Sequence, residues 1–151
     1  MAIWKQAFTL DDLKARHADT AEGHIGIEFT AIGDDWLAAR MPVDSRTVQP
    51  FRILHGGASV LLAESVGSCA ANLCVDQQRF YCVGLDINAN HVRSARSGWV
   101  TGTARPLHLG QSTHVWQVHI TREDGALICV SRLTMSVLRR PDKGQAAAPQ
   151  A

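Results

Sequence analysis

No CxxC pair occurs in the 151-residue chain. Its four cysteines, Cys69, Cys74, Cys82 and Cys129, stand among apolar neighbours as reduced core thiols do, which argues against a disulfide scaffold and a cysteine-held zinc. The seven histidines show no ligand spacing; His114 and His119, five apart, point to opposite faces of a strand, and no metal site is expected. An excess of one charge is also missing. Lys and Arg total 15 against 14 Asp and Glu, a formal charge of +1, and no basic stripe marks a nucleic-acid surface. The opening MAIWKQAFTLDDLKARHADT lacks a basic stretch followed by an apolar one, so no secretion signal is read and the cytoplasm is the expected address. A membrane span is not expected either, since the apolar run HGGASVLLAESVGSCAAN over residues 55–72 carries Glu64 at its middle and three serines.

The segments that are present define one domain over residues 1–138, closed by RRPDKGQAAAPQA over 139–151, expected to be a disordered tail. TLDDLKARHA (9–18) reads as a short helix capped by Thr9, with Asp11 and Asp12 in its first turn. Residues 25–32 and 36–43 flank Gly33-Asp34-Asp35 as a hairpin, and residues 44–54 read as an extended linker. The apolar run follows as a long helix. Four strand-like segments come after it (80–90, 99–107, 114–122 and 126–138), the last two joined by a turn at Glu123-Asp124-Gly125. Helix, two strands, long helix and four strands, without strand–helix alternation, is the order of an α+β fold with an antiparallel sheet covering one helix.

On that helix Ala58, Leu62, Val66, Cys69 and Leu73 form one stripe, expected to face the sheet. Glu64 lies opposite, among Val60, Gly67, Ser68 and Ala71, and is the only Asp, Glu, Lys or Arg between Ile53 and Val75. A solvated face would carry more charge, so a second subunit or a ligand is expected to cover Glu64. A carboxylate so placed is a candidate functional group, and Ser68, one turn on, can bind it or a water beside it. At the helix start, Gly56 and Gly57 leave backbone N–H groups open to a ligand carbonyl. Eight residues separate Gly56 from Glu64, about 12 Å of helix, too far for both to act on one carbonyl. Two antiparallel helices about a two-fold axis would bring one chain's glycines beside the other's acid. Ser65 in AESVG is no nucleophile elbow, because it stands mid-helix.

HGGASVLLAES, the upstream PVDSRTVQPF and the downstream VGLDINANHVRSAR and PLHLG together resemble the hotdog-fold acyl-CoA thioesterases of the PaaI-like group. Within it the likeness is greatest to the dihydroxynaphthoyl-CoA thioesterase and enterobactin proofreading thioesterase branches. It runs from about Trp4 to Leu138. The resemblance implies a hotdog fold, an antiparallel sheet wrapped around a long helix, assembled as a homotetramer of two dimers. It places the nucleophile or general base at Glu64, the carbonyl-polarising amide at Gly56, positioning groups at Gln49 and His55, and a water-holding hydroxyl at Ser68. Coenzyme A contacts fall on Gly84, on His91, Val92, Arg93 and Ser94, and on His108, Leu109, Gly110, Gln111, Ser112 and Thr113. Cys69 and Phe51 fall in the acyl pocket, and the cysteine stands where the two branches differ, which leaves the acyl group open. The implied substrate is an acyl-CoA or aryl carrier-protein thioester, with no separate cofactor. Two other activities fit these residues less well. A hydratase needs an acid and a histidine acting together, and His55 and Glu64 are too far apart in one chain; a non-catalytic acyl-CoA sensor has no need of the lone acid.

Overall fold

The structure, a computed structural model, describes residues 1–141. Thr9 and Asp12 form a reciprocal cap that starts helix α1, Leu10–His17. A four-residue helix that the sequence reading passed over, α2, Ala21–His24, follows it. Its exit turns through Gly26 at φ 81°, so strand β1 is Glu28–Ile32 and not the longer strand expected from residue 25. Strand β2, Leu37–Pro42, pairs back on it. Residues 44–54 correct a second expectation. They are not extended, because Gln49 N–H donates to Ile53 and Arg52 N–H to Gln49, and Val48 bridges Leu54; Arg52 is held at φ 61°. The Pro50 that blocks a helix here serves a tight turn as well.

The long helix α3, Gly56–Leu73, is capped by His55, and strands β3 (Phe80–His91), β4 (Trp99–Leu109), β5 (Thr113–Arg122) and β6 (Leu127–Arg139) follow. The six strands make one antiparallel sheet in the order β1-β2-β4-β5-β6-β3. The turn into β6 passes through Gly125 at φ 80°, as expected for Glu123-Asp124-Gly125. Of the expected tail, residues 142–151 lie outside the described residues.

The predicted stripe of α3 is the core: Leu62, Val66, Cys69 and Leu73 are buried against Trp116, Val118, Ile120, Leu133 and Met135 of the sheet. Each large side chain so buried contributes about 1.5–3 kcal/mol of transfer free energy. Gly67 allows the helix to sit close, since a Cβ there would come within 2.6 Å of Leu133 Cδ2. The sheet curls far enough for β2 through β6 all to touch α3. Twist and curl are inherent in long antiparallel strands. They overturn the premise that one sheet covers only one side of the helix: the Glu64 side faces β3, the sheet's edge strand, and not open space. No helix among the described residues is long and apolar enough to cross a membrane.

Candidate active site

Glu64 is half-buried on α3, its carboxylate over Gly84 of β3, where a Cβ would collide with Oε1. The Ser68 hydroxyl lies 3.5 Å from Oε1 and 3.7 Å from Met135 Sδ. No ion pair reaches Glu64 among the described residues. Desolvation pushes its pKa up, and the Ser68 hydrogen bond only partly offsets this. Asn72, one turn beyond Ser68, was not picked out by sequence reasoning. Its amide donates to the Ser68 and Cys82 carbonyls at 3.0 Å and accepts from Cys82 N–H at 2.8 Å, tying the free edge of β3 to the helix beside Gly84. The Glu64, Ser68, Asn72 spacing of four was the available signal.

The loop from His108 to Thr113 belongs to this end of the molecule. Thr113 and His114 pair with Ser136 and Met135, and Met135 pairs in turn with Gly84. Gly110 N–H donates to Thr113 and Val137 N–H to Ser112, which closes the loop tightly.

Gly56 lies at the other end, against His91, the last residue of β3. His55 Nδ1 accepts from Gly57 N–H at 2.8 Å, and the His55 carbonyl accepts from Ala58 and Ser59. Of the four first-turn amides, therefore, only the Gly56 N–H has no partner among the described residues. It opens on a cleft of about 380 Å³ lined by Gln49, Gly56, His91, Val92, Arg93 and Ser94. Gln49 Oε1 accepts from Phe51 N–H, which turns the amide nitrogen of the side chain into its available donor. Arg93 donates to the Leu127 carbonyl at 2.9 Å, fixing its guanidinium on β6.

One chain thus assembles two half-sites: Glu64, Ser68, Gly84 and the 108–113 loop at one, Gln49, His55, Gly56 and residues 91–94 at the other. An uninterrupted helix holds them about 12 Å apart. Cys69 and Phe51 are not brought together either. Cys69 is buried, with Arg16 and Glu22 of the N-terminal helices among its charged neighbours, whereas Phe51 is 83% exposed at the tip of the turn before α3. Burial pushes the Cys69 and Cys74 thiols up to about 12 and the Cys82 thiol to about 11, so none supplies a thiolate nucleophile near neutral pH.

A carboxylate without a cation, a hydroxyl beside it and an unpaired amide at a helix start suit acyl transfer to water, on a hotdog fold. The chain belongs to the Thioesterase superfamily, whose profile matches residues 51–129. It is 56% identical over 136 residues to the 1,4-dihydroxy-2-naphthoyl-CoA hydrolase of Escherichia coli, covering 90% of this chain and 99% of that one. It is 46% identical to the proofreading thioesterase EntH of Cronobacter turicensis, with 90% and 98% covered. The crystal structure of a Haemophilus influenzae thioesterase superposes with a TM-score of 0.91 at 50% identity, covering 95% and 99% of the two chains. The protein is a thioester hydrolase of this superfamily.

The contact at Gly84 is open to test. Gly84→Ala places a methyl group where Oε1 now sits, on an exposed edge strand that tolerates the added carbon. Turnover is expected to fall about tenfold or more from the displaced carboxylate, with an unchanged melting temperature. Steady-state kinetics beside a thermal melt checks it.

Proposed function

We infer that the protein hydrolyses an aromatic or otherwise bulky acyl-CoA to the free acid and CoA, and that each active site is shared by two subunits. The carrying observation is the Gly56 N–H, the one first-turn amide left without a partner among the described residues, at the positive end of an 18-residue helix. In this reading the partner chain's amide polarises the thioester carbonyl while Glu64 either attacks it or deprotonates a water held by Ser68. Gln49 and His55 position the acyl end. Gly84 and the 108–113 loop of one chain and His91, Val92, Arg93 and Ser94 of the other hold CoA, with Arg93 suited to its phosphates. Cys69 and the partner's loop carrying Phe51 enclose the acyl group. A thiol leaving group of pKa about 8–9 departs without a strong acid, so a site this sparse is sufficient.

Sharing has support in β3, a 12-residue edge strand that exposes Val83 and Leu85, the latter at 68%. Pairing of two such edges about a two-fold axis runs the strands antiparallel and sets the Glu64 end of one chain against the Gly56 end of the other. We take the assembly to be a homotetramer of two such dimers, working in the cytoplasm without a cofactor.

The test is thiol release across benzoyl-CoA, a dihydroxynaphthoyl-CoA analogue, acetyl-CoA, a linear fatty acyl-CoA and an aryl carrier-protein thioester. The aryl-CoA substrates are expected to exceed acetyl-CoA in kcat/KM by about tenfold or more. Preference for acetyl or linear chains would overturn the acyl assignment, and preference for the carrier-protein thioester would overturn CoA as the carrier.

A further inference from the structure

An edge strand leaves a row of backbone groups without a neighbour, and on β3 one residue of that row is closed by a single side chain. The Asn72 carboxamide accepts from Cys82 N–H at 2.8 Å and donates to the Cys82 carbonyl at 3.0 Å, the pair of bonds to one residue that an antiparallel neighbour would make. Val137, opposite Cys82 on β6, gives its own N–H to Ser112, so that donor is not available to β3. The Asn72 amide nitrogen also donates to the Ser68 carbonyl at 3.0 Å, which uses both of its hydrogens. Gln77 donates to the Asn72 carbonyl at 2.8 Å and holds the backbone of the same residue.

Asn72 is half-buried on the Glu64 face of α3, with Ser68 one turn back and Glu64 two. What its clasp fixes is Gly84, two residues past Cys82, about 7 Å along the strand and on the same side. Gly84 is the floor under Glu64 Oε1, which lies close enough to exclude a Cβ. The hold of β6 on this stretch is interrupted, because the β3–β6 register slips between Gly84 and Asp86. Asn72 anchors the strand just before that slip, and it anchors it to the helix that carries Glu64.

We propose that Asn72 is a positioning residue for thioester hydrolysis, acting through Gly84 to set the height of the Glu64 carboxylate over β3. The inference rests on Glu64 as the reacting group and adds a residue that acts only through it.

Asn72→Leu keeps the bulk of the side chain and removes all three of its bonds. With benzoyl-CoA, kcat is expected to fall about tenfold and KM to stay within about twofold, as a small misplacement of a reacting group produces. The Glu64→Gln background separates positioning from general damage. There Asn72→Leu is expected to cause no further loss, because the group it positions is already gone; an equal loss in that background would overturn the proposal. The acid limb of kcat/KM gives an independent reading. Desolvation and the Ser68 bond act on the Glu64 carboxyl, and no charged group does so among the described residues. A loosened edge that admits water is therefore expected to move the midpoint down toward 4.5. If Asn72→Leu does not fold, Asn72→Ala removes the same bonds and is read in the same way. Unchanged kcat in a folded variant, or an acid limb that stays in place, would each overturn the proposal. Near-wild-type turnover of Glu64→Gln by itself would instead remove Glu64 from the chemistry, and the positioning role with it.

Discussion

Glu64→Gln is expected to lower kcat/KM toward an aryl-CoA by at least about 10²–10³ while the protein stays folded. The substitution keeps the shape of the side chain and its contact with Ser68, and removes only the capacity to attack or to take a proton. Stability sharpens the test. Burial raises the folded-state pKa of Glu64 above its unfolded value. A raised acid contributes stability below the unfolded pKa and loses it as pH rises through the folded one. At neutral pH the ionised wild-type side chain is therefore the costlier of the two, and Glu64→Gln should melt no lower than wild type. The same shift fixes the pH profile: kcat/KM should fall on the acid side with a midpoint above the ordinary value of 4.5, and any residual activity of the Gln variant should lack that limb. Near-wild-type turnover in a folded variant would remove Glu64 from the chemistry.

The features legible in the sequence were those set by local pattern. The stripe from Ala58 to Leu73 and the alternating strands give the α+β order and the core, and the isolation of Glu64 in an apolar run marks it as a candidate functional group. Two things were illegible for a common reason, that they depend on how the sheet closes in space. The curl that lays β3 over Glu64 arises from accumulated strand twist, which no single residue records, and so the residue pattern alone points the acid away from the sheet. The clasp of Asn72 on Cys82 joins residues whose proximity exists only after that curl. The turn over residues 44–54 is illegible for a different reason: Pro50 excludes a helix without choosing between an extended strand and a turn, and the choice rests on backbone bonds inside the loop, such as Gln49 N–H to Ile53 and His55 N–H to Thr47, and on Leu54 N–H to Ala95. The residues that the family resemblance marks for CoA fell into two separate groups, which sequence order alone does not reveal, because β3 carries Gly84 near one end and His91 at the other.

That division makes the second large prediction. Gly56→Pro is expected to cost about 10²–10³ in turnover, because it deletes the N–H and puts the ring Cδ in its place. Proline is well suited to the first helical position, whose N–H has no helical partner. The preceding His55 already sits at φ −70° and ψ 131°, the region a residue before proline prefers. The added carbon meets only the end of the exposed His91 ring, at 2.9 Å, and Gly56→Ala controls for that contact while keeping the N–H. Loss in the Pro variant with near-normal turnover in the Ala variant assigns the effect to the nitrogen side of residue 56 and not to the added Cβ. Mixing then asks whether the halves of a site lie on different chains. Glu64→Gln and Gly56→Pro chains, each inactive alone, combine so that a mixed dimer has one site with both defects and one with neither. Refolding the two in equal amounts makes about half the dimers mixed and should restore about a quarter of wild-type activity. If amide and carboxylate served the same site from one chain, every site in every mixture would carry a defect and no activity would return.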